Sequence, residues 1–192
     1  MGFVILKNRR IQKAERSLNS GKRELALKLA KPLLNAKNNE IAYRANRLSG
    51  LALYKQKKYK DGLPFLETAC QLGNYQHDWY NFAITLAYNG NAEKADGAFQ
   101  NIYRTKVQSG YLYTTPIPTM LFQFIRALIR KGNVEIAKKR ANELKQMYAA
   151  TGISDINKQV PRGLPAYPTF RKEIAAIFQS EELDAWEKQI KK

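Results

Sequence analysis

The sequence predicts an all-α protein, built as a solenoid of stacked antiparallel helix pairs. Three observations lead to this prediction. Apolar residues recur at helical spacing along most of the 192 residues, and no stretch alternates apolar and polar residues as a half-buried strand does. Short polar turns interrupt the helices. A small residue follows each turn at a constant distance, which indicates a repeated structural unit.

The helical spacing is clearest in four stretches of apolar residues. They are Leu25, Leu27, Leu29, Leu33 and Leu34; then Leu48, Leu51, Ala52 and Tyr59; then Phe82, Leu86, Phe99 and Ile102; and last Leu121, Phe124, Ile125 and Leu128. The predicted turns are Asn19-Ser20-Gly21, Gln56-Lys57-Lys58, Asn89-Gly90-Asn91 and Lys131-Gly132-Asn133. Turns of this length join antiparallel neighbours, so each should connect the two helices of one pair.

Small residues mark equivalent positions in the second helix of each pair. They follow the middle of each turn by five residues and are spaced by 36, 33 and 42 residues: Ala26, Gly62, Ala95 and Ala137. A period near 34 with one helix pair per unit is typical of helical solenoids. The longer third spacing predicts an insertion between the third and fourth units, in Val107 to Pro118.

Two of the units contain a recognisable residue pattern. The third has Trp79-Tyr80-Asn81-Phe82-Ala83, Leu86, Gly90, Ala95 and Phe99, and the second has Gly50, Leu53-Tyr54, Tyr59, Gly62, Leu66 and Ala69. This pattern resembles the tetratricopeptide-repeat family, which places aromatic, Leu-Gly, Tyr, Ala and aromatic residues at set spacings. The resemblance covers about residues 8–148. It implies a right-handed solenoid of about four helix pairs over residues 1–150, with a concave groove lined by the first helices.

The C-terminal segment, residues 151–192, departs from the repeat. Glycines and prolines between Thr151 and Pro168 predict an irregular connection. A helix is then predicted from Thr169 to Gln179, and a second from Glu181 with Ser180 as its N-cap. We expect these two helices to cap the last repeat.

The net charge of +17 is unevenly distributed. Residues 1–60 carry +13, residues 61–125 carry −2 and residues 126–192 carry +6. This asymmetry indicates an acidic partner, which could be a protein, a nucleic acid or an anionic membrane surface. Lysine-rich helix surfaces that only improve solubility would give the same charge distribution.

Residues suited to catalysis or metal binding are scarce. The single histidine, His77, and the single cysteine, Cys70, exclude a multi-histidine metal site and a thiolate zinc or iron–sulfur site within one chain. Cys70 lies in an apolar stretch and is predicted to be a buried core residue. No phosphate-binding loop is found. We therefore expect a protein that is not an enzyme, needs no cofactor and is cytoplasmic.

The resemblance, carried over residue by residue, implies a basic and aromatic partner-binding groove. The implied residues are Arg44, Arg47, Leu51, Tyr54, Lys55, Tyr80, Asn81, Ile84, Tyr88, Arg126 and Arg130. Guanidinium groups bind carboxylates bidentately, and tyrosines supply amphipathic contact area. The predicted function is therefore a scaffold or adaptor that binds an acidic peptide or protein. Packing of one repeat on the next would explain the same face of side chains.

Two further partners stay open at this point. A basic helical-repeat protein could bind RNA or another nucleic acid along its phosphates. The residues that would carry this binding are Arg9, Arg10, Lys13, Arg16, Lys22, Arg23 and Lys28. The same basic helix could instead hold the protein at an anionic membrane surface, as a peripheral contact.

Overall fold

The computed structural model describes residues 2–105, 116–150 and 163–190, with side chains from residue 8 onward. Within these ranges the chain folds into ten α-helices and two short 3-10 turns, with no β-strand. The helices are α1 (Gly2–Asn19), α2 (Arg23–Ala30), α3 (Asn39–Lys55), α4 (Tyr59–Gly73), α5 (Gln76–Tyr88), α6 (Ala92–Gln100), α7 (Ile117–Arg130), α8 (Val134–Ala149), α9 (Tyr167–Ile174) and α10 (Ser180–Ile190).

The four predicted turns are confirmed, and each ends a helix in the same way. The middle residue of each turn has a left-handed backbone: Gly21, Lys57, Gly90 and Gly132. At the first turn, the amide of Lys22 donates to the carbonyl of Ser17 and the amide of Gly21 to that of Leu18. The other three turns repeat this pair of hydrogen bonds. This is the Schellman arrangement, which satisfies the last carbonyls of a helix and reverses the chain.

The small residues that follow the turns lie where helices approach closely. Ala26, Ala95 and Ala137 are fully buried. A Cβ atom added to Gly62 would lie 3.2 Å from the carbonyl oxygen of Gly50 in α3. A larger side chain at any of these positions would therefore push the helices of a pair apart.

Buried apolar residues form two clusters along the chain. One joins α1, α2 and α3, and the other runs from α4 through α10. Leu51 packs against both clusters and so links them. Neighbouring helices pack throughout, and each first helix of a pair also contacts a first helix of an adjacent pair. This contact brings side chains of α1, α3, α5 and α7 toward one another.

The C-terminal helices pack on the fourth pair, α9 on α7 and α10 on α8. Phe170 of α9 packs edge-on against Phe122 and stacks on Tyr148 of α8. Two predicted boundaries of these C-terminal helices are wrong. The first helix ends at Ile174 and not at Gln179. The second begins at Ser180, so Ser180 is its first residue and not its N-cap.

The reason for the second error is a capping interaction on the neighbouring residue. The Glu182 carboxylate accepts a hydrogen bond from the Gln179 amide, and the Gln179 carbonyl accepts the first helical hydrogen bond, from Leu183. Gln179 therefore occupies the capping position, with Glu182 as its partner three residues on.

Parts of two predicted features fall outside the described residues. These are residues 107–115 of the predicted insertion and residues 151–162 of the predicted irregular connection. The described remainder of the insertion, residues 116–118, includes the first two residues of α7. Among the described helices, none has both the length and the apolar character that a membrane span requires.

Candidate functional site

Three tyrosines form an aromatic cluster where α3 and α5 end and α4 begins. The rings of Tyr59 and Tyr88 stack with centroids 5.1 Å apart. The Tyr54 ring lies 5.7 Å from Tyr59 and 6.1 Å from Tyr88, tilted against both. All three are half-buried. We call Tyr54, Tyr59 and Tyr88 the tyrosine cluster; it joins the second and third helix pairs at a surface that is part apolar and part polar.

Two phenols of this cluster, those of Tyr54 and Tyr59, are held in the neutral form. Burial, followed by the neighbouring Tyr88 and Tyr59, raises the pKa of Tyr54 to about 12, against a smaller opposing effect of Arg130. Burial and then Tyr88 also raise the pKa of Tyr59. A neutral phenol donates one hydrogen bond. Tyr54 and Tyr59 can therefore donate to a carboxylate across the whole physiological pH range.

A cavity of about 370 Å³ opens beside the tyrosine cluster, and its lining is strongly basic. It is lined by Lys57, Lys58, Tyr59, Lys60, Asp61, Tyr88, Asn89 and Lys131. Four lysines and one aspartate thus line a space that two of the tyrosines also line. We call this the lysine cavity. Lys55 and Arg130, both exposed, lie at the ends of α3 and α7 that lead into the same turns.

Lys57 has an unusual backbone for its residue type. Its φ is 62°, whereas the three equivalent turns have glycine at this position. A side chain in the left-handed region costs roughly 1–2 kcal/mol because Cβ crowds the following carbonyl oxygen. Non-glycine residues in such conformations concentrate at functional sites. The lysine at this turn is therefore a feature that backbone stability alone would not favour.

The predicted groove residues divide into those that reach this surface and those that do not. Tyr54 and Tyr88 belong to it, and the charge of Arg130 acts on Tyr54. Lys55 follows Tyr54 in the chain and lines a second cavity, described below. Tyr80 is half-buried behind the tyrosine cluster, and burial, then Tyr54 and Tyr88, raise its pKa. Asn81 is also half-buried, and its carbonyl accepts a hydrogen bond from the Thr85 hydroxyl at 2.6 Å.

Three of the predicted groove residues line a different cavity. Arg47, Leu51 and Lys55 border a space of about 400 Å³ between α3 and α1, together with Glu15, Leu18, Asn19 and Leu48. Because Glu15 faces the two cations, this cavity is mixed in charge. It does not have the excess of positive charge that distinguishes the lysine cavity.

The predicted arginines Arg44 and Arg47 are engaged within the chain. Arg44 binds the Glu15 carboxylate of α1 bidentately, with three contacts between 2.8 and 3.0 Å. The Nε of Arg47 donates to Asp78 of α5 at 3.0 Å, and Tyr43 donates to the other oxygen of the same carboxylate at 2.9 Å. The side chain of Arg47 is only 18% exposed, which leaves little of it to contact a partner. Both arginines therefore connect successive helix pairs.

Two further predicted contact residues are covered by neighbouring helices. Ile84 is 5% exposed and belongs to the core, so it cannot contact a partner at the surface. Arg126 lies 2.9 Å from the Glu173 carboxylate and over the Phe122 ring, so the C-terminal helix α9 occupies it. The repeat pattern could not reveal this, because it contains no information about the helix that follows the last repeat.

Most residues of the lysine cavity were not predicted from the sequence. The residues that were not predicted lie in turns or at the starts of second helices, outside a groove that first helices would line. They are Lys57, Lys58, Tyr59, Lys60 and Lys131. A signal was present in the alternation of lysines and tyrosines between Tyr54 and Lys60.

The single cysteine and the single histidine both have shifted pKa values. Cys70 is buried, and burial, with the charges of Asp78 and Glu67, raises the pKa of its thiol far above its usual range. Burial, followed by the charge of Arg47, lowers the pKa of His77. Across the described residues, no three His, Cys, Asp or Glu side chains are grouped so as to hold a metal ion.

Comparison of the chain with protein-family models, with curated proteins and with solved structures finds no match in any of the three.

Proposed function

We propose that this protein is a non-catalytic scaffold or adaptor that binds an acidic protein partner through the tyrosine cluster, the lysine cavity, Lys55 and Arg130, together called the tyrosine–lysine surface. The observation that carries the proposal is the lysine cavity, in which four lysines and one aspartate surround two half-buried tyrosines. Cations attract carboxylates over distance, and neutral phenols can donate hydrogen bonds to them at contact.

The chemistry of this surface matches what protein interfaces use. Tyrosine is enriched among the residues that dominate binding energy, because it offers a large rigid area with one polar end. The surrounding lysines supply the rim, where charge steers the encounter and selects partners of opposite sign. An acidic segment that also carries an apolar or aromatic side chain would fit both parts.

The proposed architecture is a right-handed solenoid of the tetratricopeptide-repeat kind. Four equivalent turns, small residues at the helix crossings, and contacts between first helices of adjacent pairs support it. In such a solenoid, the turns that end the first helices lie along one edge of the concave face. The tyrosine–lysine surface would then be an edge of the groove, and ion pairs between repeats would occupy part of the groove floor.

The test is affinity capture from native lysate with a charge-reversed variant. Lys55→Glu/Arg130→Glu changes two exposed side chains that have no ion pair within the described part of the chain, so it should fold normally. Lys172→Glu/Lys188→Glu makes the same change of net charge on α9 and α10 and serves as the control. We expect the protein and its control to retain one acidic partner that Lys55→Glu/Arg130→Glu loses.

Nuclease treatment separates the competing partner class. A partner that survives nuclease and is lost only in Lys55→Glu/Arg130→Glu supports the proposal. Capture that disappears with nuclease, or that falls equally in both charge-reversed variants, contradicts it.

A further inference from the structure

A separate concentration of charge lies on α1, remote in sequence from the tyrosine–lysine surface. Arg9, Lys13 and Arg16 are exposed, and their spacings of four and three residues place them on one face of the helix. None of the three lies within ion-pair distance of a carboxylate in the described residues. The only acidic residue of α1, Glu15, is already bound to Arg44.

This cationic face points away from the rest of the protein. Ile11, Ala14 and Leu18 form the buried face of α1, at exposures of 0%, 0% and 4%. Arg9 and Lys13 each lie two positions from Ile11, which is roughly 200° around a helix. The face is therefore opposite to the packing contacts of α1 and is available to an external partner. Lys22 and Arg23, exposed just after the turn that ends α1, extend the charge.

The residues around these cations favour a lipid surface over a nucleic acid. Residues 8–37 contain no Phe, Tyr or Trp, so the basic segment has no ring on which bases could stack. Four consecutive apolar residues, Phe3 to Leu6, come directly before the cations on the same helix. Phosphate-backbone contacts do not need apolar residues, whereas stable membrane binding requires apolar insertion in addition to charge.

We infer that the N-terminal end of α1 docks on an anionic lipid surface as a peripheral contact. Arg9, Lys13 and Arg16 interact with the headgroups, and the apolar residues that precede them provide the hydrophobic part of the binding. The inference is independent of the proposed partner surface, since it involves a different helix and different residues.

The test is co-sedimentation of the full chain with vesicles of phosphatidylcholine alone and with an equal mixture of phosphatidylcholine and phosphatidylglycerol. We expect binding to the mixed vesicles only. Arg9→Glu/Lys13→Glu should weaken it about tenfold or more, because each basic residue near an anionic surface contributes roughly a factor of five. Phe3→Ser/Ile5→Ser should also weaken it and should leave the remaining binding more sensitive to salt.

The variants already chosen for partner capture serve as controls. Lys172→Glu/Lys188→Glu and Lys55→Glu/Arg130→Glu carry the same charge change elsewhere and should bind the mixed vesicles like the unaltered protein. Equal loss in all three charge-reversed variants would overturn the inference, as would vesicle binding that Phe3→Ser/Ile5→Ser leaves unchanged. Tight binding of a short RNA that Arg9→Glu/Lys13→Glu abolishes, without any effect on vesicle binding, would assign this face to nucleic acid instead. Circular dichroism confirms that each variant is folded.

Discussion

Lys57 has a backbone conformation that favours glycine, and it lies on the surface where we propose that a partner binds. Four turns share one backbone geometry, and three of them use the residue that this geometry favours. At the fourth, a lysine accepts a left-handed conformation and places its side chain in the wall of the lysine cavity. The local conformational cost is offset by the rest of the fold, which fixes the turn through hydrogen bonds at both ends.

Lys57→Gly should therefore stabilise the protein while weakening the binding of its partner. We expect a gain of about 1 kcal/mol, because glycine adopts the observed φ without strain, less the extra chain entropy that glycine loses on folding. Urea denaturation measures the stability, and titration of the captured partner measures the affinity. Lower stability in this variant would mean that the Lys57 side chain stabilises the turn. Its left-handed conformation would then be no argument for a role in binding.

The pKa of Asp96 leads to a second prediction, on how the stability of the fold depends on pH. Burial would raise the pKa of this carboxyl, but hydrogen bonds and charge from Arg140 and Lys139 outweigh it, so the net shift is downward. Arg140 is 4% exposed and binds Asp96 and Glu143, which connects α6 to α8. A carboxyl with a depressed pKa stabilises the fold above its unfolded value near 3.9 and loses this effect as pH falls below it.

Asp96→Asn should therefore destabilise the protein at neutral pH by roughly 3 kcal/mol, at the low end for a broken buried pair because Glu143 still binds Arg140. The difference from the unaltered protein should shrink as the pH is lowered through 4 toward 2. Thermal unfolding followed across this pH range provides the measurement. A difference that stays constant with pH would show that the pair contributes through packing and not through charge.

The partners of the arginines could not be predicted from the sequence. Helical spacing correctly placed Arg44 and Arg47 on one face of α3. It could not identify Glu15 and Asp78 as their partners, because these carboxylates come from the neighbouring pairs, and their approach depends on how the pairs stack. For the same reason, the charge of the lysine cavity was not foreseen: Lys131 is about 70 residues from Lys57 to Lys60 in the sequence.

At the scale of the helices, the turns between paired helices were predicted more accurately than helix ends that no turn residue marks. The four turns combine polar residues with a glycine or lysine at the reversal and recur at a near-constant period, so local and global signals agree. The end of α9 has no such signal. Ala175, Ala176 and Ile177 after it would suit a continuing helix, and only the packing of Phe178 against Trp186 of α10 accompanies the change of direction.

The close approach of α3 and α4 makes Gly50 sensitive to substitution. A Cβ atom at Gly50 would lie 2.5 Å from Cγ of Leu66, a buried side chain of α4. Gly50→Ala should therefore destabilise the protein by roughly 1–3 kcal/mol through overpacking. Gly97→Ala is the matched control, since Gly97 lies in α6 with no atom within 4 Å of its added Cβ.

The control should change stability in the opposite direction, by about 0.5–1 kcal/mol, because alanine is the better helix former. Denaturation of the two variants side by side gives the comparison. Equal stability of Gly50→Ala and Gly97→Ala would show that α3 and α4 do not pack as closely as described.

For the whole molecule, side chains between successive pairs fix the stacking. Glu15 with Arg44 joins the first and second pairs, Arg47 with Asp78 the second and third, Asp96 with Arg140 the third and fourth, and Arg126 with Glu173 the fourth and the C-terminal helices. Each junction thus has at least one ion pair in addition to its apolar packing. Most of the arginines first assigned to a partner are used in these junctions.

Because these arginines form ion pairs between helices, two basic regions of the described chain remain for external contacts. They are the cationic face of α1 and the tyrosine–lysine surface. They belong to different helices and are tested by different variants. The first is basic and follows directly on four apolar residues, a combination that favours an anionic lipid surface. The second combines cations with tyrosines, residues that protein interfaces use.

Titration of the captured acidic partner at low and high salt tests the central claim most directly. Lys55→Glu/Arg130→Glu should weaken binding by roughly 2 kcal/mol, about thirtyfold, at low salt and by much less at high salt, where exposed charges are screened. Lys172→Glu/Lys188→Glu should bind like the unaltered protein under both conditions. An affinity that Lys55→Glu/Arg130→Glu leaves unchanged at low salt would contradict the assignment of the tyrosine–lysine surface as the partner-binding site.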